Sequence, residues 1–255
     1  MTLEIHQIPC LDDNYGYLVH EPASGLTATI DTPDANAINV ALAAKGWRLT
    51  HILNTHHHFD HAGGNEALKA KWGCTVVGAD NDASRIPGID VRLKDGDTYA
   101  FGQTKAVVME VPGHTTGHIA FHFPAEGVAF VGDTLFVLGC GRLFEGTAEQ
   151  MWDSLTKIMS MPDDTVLYCA HEYTQSNARF ALSVDPDNAD LIARNAEINV
   201  LRAAGKPTVP TTLRREKATN PFLRAADASL QRNLDLTGAP LSSVFAETRR
   251  RKDRF

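Results

Sequence analysis

The chain has 255 residues, which is enough for one large domain or for a domain with a smaller appendage, and it can bury a sizeable core. Hydrophobic residues make up 43% and charged residues 22%, which is ordinary for a globular protein and excludes the disordered and fibrous classes. The formal net charge of -7 counts against a broad phosphate-binding surface, so no nucleic-acid partner is expected.

The N-terminal segment lacks the features of a targeting or membrane sequence. "MTLEIHQIPCLDDNY" has no basic stretch followed by an apolar run, and the most apolar later stretch, "VAFVGDTLFVLGC", is interrupted by Asp133. The four cysteines are too few and too scattered for a disulfide framework, and they form no C-x-x-C pair. The sequence therefore predicts a cytoplasmic protein with no membrane contact.

Short apolar runs rich in β-branched residues recur through the first two thirds of the chain and predict strands. These runs are residues 28–31, 51–55, 75–79, 106–111, 119–123, 128–133 and 165–170. Helical patterns lie between some of them, at residues 34–46, 64–73 and 147–159. The last of these helices begins with a capping box, Thr147 with Gln150 three residues later.

The pattern changes after about residue 172, where helical periodicity replaces the strands. "NADLIARNAEINVLRAAG" (188–205) predicts a helix from an Asn cap to a Gly stop. Its expected core side is formed by Leu191, Ile192, Asn195, Ile198 and Leu201. We therefore expect an α/β domain at residues 1–172 and a smaller helical domain at residues 173–255.

Charge is distributed unevenly along the chain. Residues 213–255 contain 10 basic and 5 acidic residues, a net charge of +5 in a chain whose total is -7. The acidic remainder suits cations, and the basic end suits an anionic ligand.

The heptapeptide "THHHFDH" places four histidines and one aspartate within six positions. His56 and His58 are two apart just after a predicted strand, so both side chains point the same way and can bind one ion. Asp60 and His61 are consecutive and are better placed, at the entrance to the next helix, to bind a second ion. His57 is expected to point away. Imidazole with carboxylate suits zinc, iron or manganese.

Three later strand ends offer the further ligands that a two-metal site needs. His114 comes from "VPGHTTGH", Asp133 from "VGDTLF" and His171 from "YCAHEY". Each follows an apolar strand or a Pro-Gly turn, where loops at a sheet edge carry functional groups. A carboxylate has two oxygens, so Asp133 is the candidate bridge between two ions.

These residues resemble the metallo-β-lactamase superfamily and, within it, the hydroxyacylglutathione hydrolases, or glyoxalase II enzymes. "THHHFDH" is specific for the superfamily, and "DDNYGYLV", "GCGRLFEGT", "CAHEYT", "NPFLR" and "RRRKDRF" extend the resemblance over nearly the whole chain. The resemblance implies an α/β protein: a catalytic αββα metallo-β-lactamase sandwich with a smaller C-terminal α-helical domain that binds glutathione. It implies hydrolysis of S-(2-hydroxyacyl)glutathione, such as S-D-lactoylglutathione, to a 2-hydroxy acid (D-lactate) and glutathione, the second step of methylglyoxal detoxification.

The resemblance also implies two divalent metal ions, zinc first and iron or manganese as alternatives. One ion would be held by His56, His58 and His114, the other by Asp60, His61 and His171, with Asp133 shared. Asp60 and Asp133 would serve catalysis, Asp60 by orienting the attacking hydroxide. Asp31, in "IDTPD", resembles the aspartate that steadies the histidine loop from behind the ligands.

For a glutathione thioester, the resemblance points to four contacts: Arg142, Tyr173, Arg249 and Lys252. Guanidinium and ammonium groups pair well with the carboxylates of glutathione. By chemistry alone, "RRRKDRF" suits a solvated, mobile tail, and Arg250, Arg251 and Arg254 are expected to be solvated.

Alternatives remain open on the sequence. Another hydrolase of this fold could act on a different thioester, a lactone or a phosphodiester, and the superfamily's iron-dependent persulfide dioxygenases use a single metal. A nucleic-acid binder would use the basic C-terminal region. A non-catalytic metal protein needs a closed coordination shell, whereas three or four protein ligands per ion leave positions open for water and substrate. The oligomeric state is not encoded in these patterns, and a monomer is expected.

Overall fold

The computed structural model describes residues 3–255. The chain forms two compact units: the first comprises the chain up to Glu110 together with 116–132, and the second comprises 111–115 together with 133–255. Within residues 3–255, no helix combines the length and the apolar character that a membrane span requires.

The first unit contains a six-stranded sheet whose strands lie side by side in chain order. They are β1 (Glu4–Cys10), β2 (Asn14–Glu21), β3 (Leu26–Ile30), β4 (His51–Leu53), β5 (Thr75–Ala79) and β6 (Val91–Leu93). The first three strands pair antiparallel, and β3 to β6 pair parallel. β3 and β4 run in the same direction, with Ile30 opposite Leu53. Asp31 and Asn54, which follow these two residues, therefore lie side by side at the carboxyl ends of the two strands.

Helices cover one face of this sheet because parallel strands need crossover connections. They are α1 (Ala35–Lys45) and α3 (Asn65–Trp72), and the short helix α2 (Phe59–Ala62) lies in the connection between β4 and α3. The side chains of Leu42 on α1, Leu68 on α3 and Ile52 on β4 are fully buried in one apolar cluster. Burial of such side chains is the main favourable contribution to folding, at roughly 1.5–3 kcal/mol for each. This cluster anchors the parallel strands whose ends carry the candidate ligands.

A second set of strands in the first unit forms an antiparallel meander: β7 (Thr98–Phe101), β8 (Thr104–Glu110), β9 (Ile119–Phe123) and β10 (Val128–Gly132). The rings of Tyr17 on β2 and Phe130 on β10 lie 5.6 Å apart between centroids. The meander therefore packs against the six-stranded sheet, with helices on the far side of that sheet.

The second unit is mostly helical. Its elements are β11 (Leu135–Phe136), β12 (Gly139–Cys140), α4 (Ala148–Met159), β13 (Val166–Cys169), α5 (Thr174–Val184), α6 (Ala189–Ala203), β14 (Thr211–Thr212), α7 (Leu213–Thr219), α8 (Ala228–Asn233) and α9 (Leu241–Asp253). The predicted capping box of α4 is present, with Thr147 and Gln150 bonding each other's backbone N–H groups.

Helix α6 departs from its predicted core side. Leu191 and Ile198 are buried as expected, but Ile192 is 51% exposed and Arg194 is buried in its place. The prediction for Ile192 was wrong because apolar periodicity assigns no arginine to a core, whereas Arg194 forms a buried ion pair with Glu216.

Candidate metal centre

The candidate ligands of the first unit lie on the loop after β4 and on the short helix α2. The chain turns after the buried Thr55 so that His56 Nε2 and His58 Nδ1 lie 3.0 Å apart. Imidazole nitrogens that share one zinc ion lie roughly 3.3 Å apart, because each Zn–N bond measures about 2.0–2.1 Å. The spacing of this pair is therefore that of two ligands to a single cation, within a few tenths of an ångström.

His57, between these two candidate ligands, points the other way as the sequence predicts. Its Nδ1 lies 2.9 Å from Oδ2 of Asp82, a carboxylate that is fully buried. Arg85 donates to the other oxygen of Asp82 from Nε at 2.6 Å. The buried Asp82 thus anchors the middle of the histidine loop from the side opposite its ligand nitrogens.

Asp31 holds the histidine loop at three points. Its carboxylate accepts hydrogen bonds from the Thr55 N–H and from Thr55 Oγ1, both at 2.8 Å, and lies 2.8 Å from His61 Nδ1. Asp31 has φ of +56°, a conformation that aspartate tolerates better than most residues. When His61 donates from Nδ1 to this carboxylate, its Nε2 is left with a lone pair for a cation.

Asp60, on α2, directs its carboxylate toward His61. Its Oδ2 lies 3.6 Å from His61 Nε2, and the Asp60 side chain is 37% exposed. Asn14, at the start of β2, donates from Nδ2 to the same oxygen at 3.0 Å. Sequence reasoning missed Asn14, although the residue stands in the motif "DDNYGYLV" that carries part of the family resemblance.

The second unit brings its three candidate ligands together around one carboxylate oxygen. Asp133 Oδ2 lies 3.4 Å from His114 Nε2 and 3.4 Å from His171 Nε2, and all three residues are buried. The other ring nitrogen of His114 lies 2.9 Å from the carbonyl oxygen of Arg142. One carboxylate between two imidazoles is the arrangement expected of a ligand shared by two ions.

Among residues 3–255, three groups of histidine and aspartate side chains could each hold a metal ion, with potential ligand atoms within 4.8 Å of one another. The groups are His56, His58 and His114; His56, His61 and Asp133; and Asp60, His61 and His171. All ligand atoms are imidazole nitrogens or carboxylate oxygens, a donor set that accepts zinc, iron or manganese. The donor chemistry and the spacings therefore fit a pair of divalent cations.

Two of the expected substrate contacts, Arg142 and Tyr173, are exposed beside candidate ligands. The ring of Tyr173 stacks on His171 with 4.6 Å between centroids and an angle of 5° between planes. Arg142 follows β12, and its side chain is exposed to solvent. Phe144, which sequence reasoning did not single out, is also exposed and lies 5.2 Å from the His114 ring.

The other two expected contacts, Arg249 and Lys252, lie one turn apart on α9. Arg249 is 4% exposed and donates from Nη1 to the Cys140 carbonyl at 3.0 Å and from Nη2 to Asp253 at 2.7 Å. Lys252 donates from Nζ to the Ser176 carbonyl at 3.2 Å. Burial, together with the charges of Arg249, Arg179 and Arg142, lowers the pKa of Lys252 to about 8. These cations therefore create a strongly positive region in the second unit.

Two family models together match the chain from residue 27 to its end. The metallo-beta-lactamase superfamily matches residues 27–171, and the hydroxyacylglutathione hydrolase C-terminus matches residues 172–255. Proteins named hydroxyacylglutathione hydrolase from Maricaulis maris and Methylococcus capsulatus are 56% and 57% identical over 253 residues, covering 99% of this chain and of each relative. This chain belongs to the hydroxyacylglutathione hydrolase family.

Solved structures support the fold of this family member. ETHE1 from Myxococcus xanthus is 26% identical with a TM-score of 0.67, covering 99% of this chain and 98% of that one. The BLEG-1 B3 metallo-beta-lactamase is 22% identical with a TM-score of 0.66, covering 86% and 99%. A di-iron-bound form of TTHA1623 is 25% identical with a TM-score of 0.60, covering 82% and 95%.

These similarities confirm the predicted fold class, a metallo-β-lactamase sandwich followed by a smaller helical part. Membership in the hydroxyacylglutathione hydrolase family also makes the protein an enzyme, a hydrolase. The fold and the histidine and aspartate groups together indicate a dinuclear metal site.

Proposed function

We propose that the protein hydrolyses the thioester of S-(2-hydroxyacyl)glutathione, chiefly S-D-lactoylglutathione, to D-lactate and glutathione in the second step of methylglyoxal detoxification. The observation that carries this proposal is the set of seven histidine and aspartate side chains whose ligand atoms converge in three groups. Family membership limits the choice of reaction, since relatives that share more than half of their residues with this chain are named hydroxyacylglutathione hydrolase. A different thioester, a lactone or a phosphodiester is not favoured.

Two divalent ions fit the donor set, and we take zinc as the first choice with iron or manganese as alternatives. We assign one ion to His56, His58 and His114, the other to Asp60, His61 and His171, and Asp133 to both. When bound, the ions supply the acidity that makes water a nucleophile near neutral pH and the positive charge that stabilises the carbonyl oxygen in the transition state.

The chain's own groups fix the geometry of this chemistry. Asp60, which Asn14 holds by a 3.0 Å hydrogen bond, is placed to orient the attacking water and accept its proton. Asp31 keeps His61 in the tautomer that presents Nε2, and the Arg142 carbonyl does the same for His114. The leaving group is a thiol with a pKa near ~8.5, so it departs as thiolate without a separate general acid.

Four residues of the second unit are proposed to bind the glutathione carrier: Arg142, Tyr173, Arg249 and Lys252. Arg142 and Lys252 have positive charges for the carboxylates of glutathione, and Tyr173 offers an aromatic surface against His171. Arg249 is already bonded to Cys140 and Asp253, so it contributes mainly through its charge and by holding Lys252's helix in place.

Lys252 makes binding of the carrier dependent on pH. Its pKa of about 8 means that the free enzyme loses the positive charge as the pH rises through 8, well below the usual range of lysine. The Kd for glutathione is therefore expected to rise between pH 7.5 and 9. Lys252→Arg, which stays protonated, should abolish that rise while Arg142→Lys retains it. An unchanged Kd in the native protein across this range, measured by calorimetry, would argue against a charged contact from Lys252.

We further propose that residues 1–172 form the catalytic domain and residues 173–255 the glutathione-binding domain. The proposal is supported by the change of pattern near residue 172 and by the two family models, which meet at that point. We also propose a cytoplasmic monomer whose partner is the small-molecule thioester, with no nucleic-acid or membrane partner.

The proposed function is tested by comparing two thioesters of D-lactate with metal-replete protein. One carrier is glutathione, and the other is a small thiol that lacks carboxylates. We expect a kcat/KM at least about 10²-fold higher for the glutathione thioester, because two or more charge-assisted hydrogen bonds of roughly 1.5–3 kcal/mol each are lost with the small thiol.

Each outcome of this comparison decides a different part of the proposal. Equal rates would keep a thioesterase but remove the glutathione site. No hydrolysis of either thioester, with both metals bound, would overturn the proposed reaction. Chelation of the metals should abolish the activity, and re-addition should restore it.

A further inference from the structure

A short hairpin in the second unit follows directly after the candidate metal ligand Asp133. It consists of β11 and β12, whose two residue pairs are Leu135 with Cys140 and Phe136 with Gly139. The hairpin begins two residues after Asp133 and ends two residues before Arg142, whose carbonyl contacts His114 Nδ1. A two-stranded hairpin of this length is not stable by itself in water. Its conformation must therefore be fixed by other parts of the chain.

The turn of this hairpin is bound by side chains from the C-terminal third of the chain. Asn220 donates from Nδ2 to the Phe136 carbonyl at 3.2 Å and to the Gly139 carbonyl at 3.0 Å. Glu216 Oε2 accepts a hydrogen bond from the Leu138 N–H at 2.9 Å. Leu138 adopts a φ of +58°, which a leucine rarely takes unless neighbouring groups impose it.

A third side chain completes the set of contacts. Asn177, on α5, donates from Nδ2 to the Val137 carbonyl at 3.0 Å. The carbonyls of Phe136, Val137 and Gly139 therefore accept hydrogen bonds from the buried asparagines Asn177 and Asn220. Buried carbonyls need such partners, and removal of one partner leaves its acceptor unsatisfied.

Asn220 and Glu216 are themselves held in place. Both are fully buried, and Asn220 Nδ2 also lies 3.1 Å from Glu216 Oε2. The other carboxylate oxygen of Glu216 accepts from Thr211 Oγ1 at 2.8 Å and pairs with Arg194. Interlocked buried groups of this kind have one satisfied arrangement, so they transmit a fixed position to the hairpin.

At the base of the hairpin, the backbone of Gly141 packs tightly against the candidate ligands Asp133 and His114. A Cβ added at Gly141 would lie 2.1 Å from the Asp133 carbonyl oxygen and 3.0 Å from His114 Nδ1. Gly141 N–H also points to the Thr134 carbonyl at 3.4 Å. A displacement of the hairpin therefore moves the backbone of Asp133 and the acceptor of His114 together.

We propose that Asn220, backed by Glu216, is a positioning residue for the metal centre: by fixing the β11–β12 hairpin it sets the orientation of His114 and the place of Asp133. The C-terminal region thereby determines how tightly metal is held, in addition to its proposed role in binding glutathione. The inference rests on the metal assignment within the proposed function but not on the identity of the substrate.

The test uses Asn220→Asp in the full-length protein. This variant keeps the size of the side chain and the oxygen that accepts the Phe222 N–H at 3.0 Å, but it loses both donors to the hairpin. We expect the apparent affinity for zinc, measured by competition with a chromophoric chelator, to fall 10–100-fold, as for other residues that orient metal ligands. The visible absorption of the cobalt(II)-substituted protein, which reports ligand geometry, should change as well.

Leu230→Ala provides the control for simple destabilisation. Leu230 is fully buried on α8. Within residues 3–255, no hydrogen bond joins Leu230 to the β11–β12 hairpin. This control should lower the denaturation midpoint while leaving zinc affinity and the cobalt spectrum unchanged. Where Asn220→Asp does not fold, Asn220→Ser replaces it, since serine can still accept from Phe222 N–H but cannot reach the two carbonyls.

Zinc affinity and a cobalt spectrum equal to those of the native protein in a folded Asn220 variant would overturn the proposal. Equal losses of affinity in the Leu230 control would do the same, because the effect would then follow from stability alone. Metal affinity is measured without substrate. A native protein that does not hydrolyse glutathione thioesters would therefore refute the proposed function and leave the role of Asn220 to be judged on metal binding.

Discussion

Asp133→Ala is expected to remove both metal ions and to lower kcat/KM by roughly 10³-fold or more. The reason is geometric: one oxygen of Asp133 lies 3.4 Å from His114 Nε2 and 3.4 Å from His171 Nε2, residues that we assign to different ions. Loss of the shared carboxylate therefore weakens both sites at once. Several kcal/mol of transition-state stabilisation depend on the ions, and each 1.36 kcal/mol corresponds to about tenfold in rate.

Metal content after dialysis and thioester hydrolysis are the two measurements for this variant. Asp153→Ala is the matched control, since Asp153 is an exposed aspartate on α4 in the same unit and is not in any group of candidate ligands. The control should retain two metals and full activity. Two tightly bound metals in Asp133→Ala would contradict the bridging assignment, and loss of only one metal would restrict Asp133 to a single ion.

The central strands and the histidine loop could be predicted from the sequence because each depends on the pattern of neighbouring residues. The apolar β-branched runs form β3, β4, β5, β8, β9, β10 and β13. The spacing of His56 and His58 likewise follows from how a chain leaves a strand, and the structure brings their ligand nitrogens within 3.0 Å. Local periodicity is sufficient to predict a helix or strand when one face of that element packs against a single hydrophobic core.

The first two strands could not be predicted from the same signal. β1, EIHQIPC, mixes polar with apolar residues at the edge of the sheet, and β2, NYGYLVHE, is mostly buried but begins and ends with polar residues. Their pairing over seven residue pairs stabilises them instead. This pairing positions Asn14 at the start of β2, so its contact with Asp60 could not be predicted from the spacing of the histidine motif.

The C-terminal basic segment shows a different limit. "RRRKDRF" suits a solvated tail by composition, but most of it belongs to α9. Arg250 and Arg254 are exposed, as expected of solvated side chains, and Arg250 also pairs with Glu247. Arg251 is only partly exposed, because it pairs with Glu247 and donates to the Leu234 carbonyl. Burial of Arg249 against Cys140 spans more than 100 residues of sequence, and such contacts depend on tertiary structure rather than on local pattern.

Asp31→Asn is expected to lower the affinity for the ion assigned to Asp60, His61 and His171 by about 10–100-fold. Asparagine tolerates the φ of +56° at this position, so the backbone is preserved. Its amide, however, places an N–H group where the carboxylate accepts from Thr55 and contacts His61 Nδ1. One of these partners must then lose its acceptor, which costs about 1–3 kcal/mol of stability for a buried donor.

The control for this loss of stability is Asp34→Ala. Asp34 caps α1 by accepting from the Asn36 and Ala37 N–H groups, and removal of such a cap costs about 0.5–2 kcal/mol without touching a ligand. Chemical denaturation and zinc titration of both variants separate the two effects. Asp31→Asn should show weaker binding of one zinc ion, whereas Asp34→Ala should bind both ions with native affinity. Native affinity in both variants would show that the histidine loop keeps its geometry without the Asp31 carboxylate.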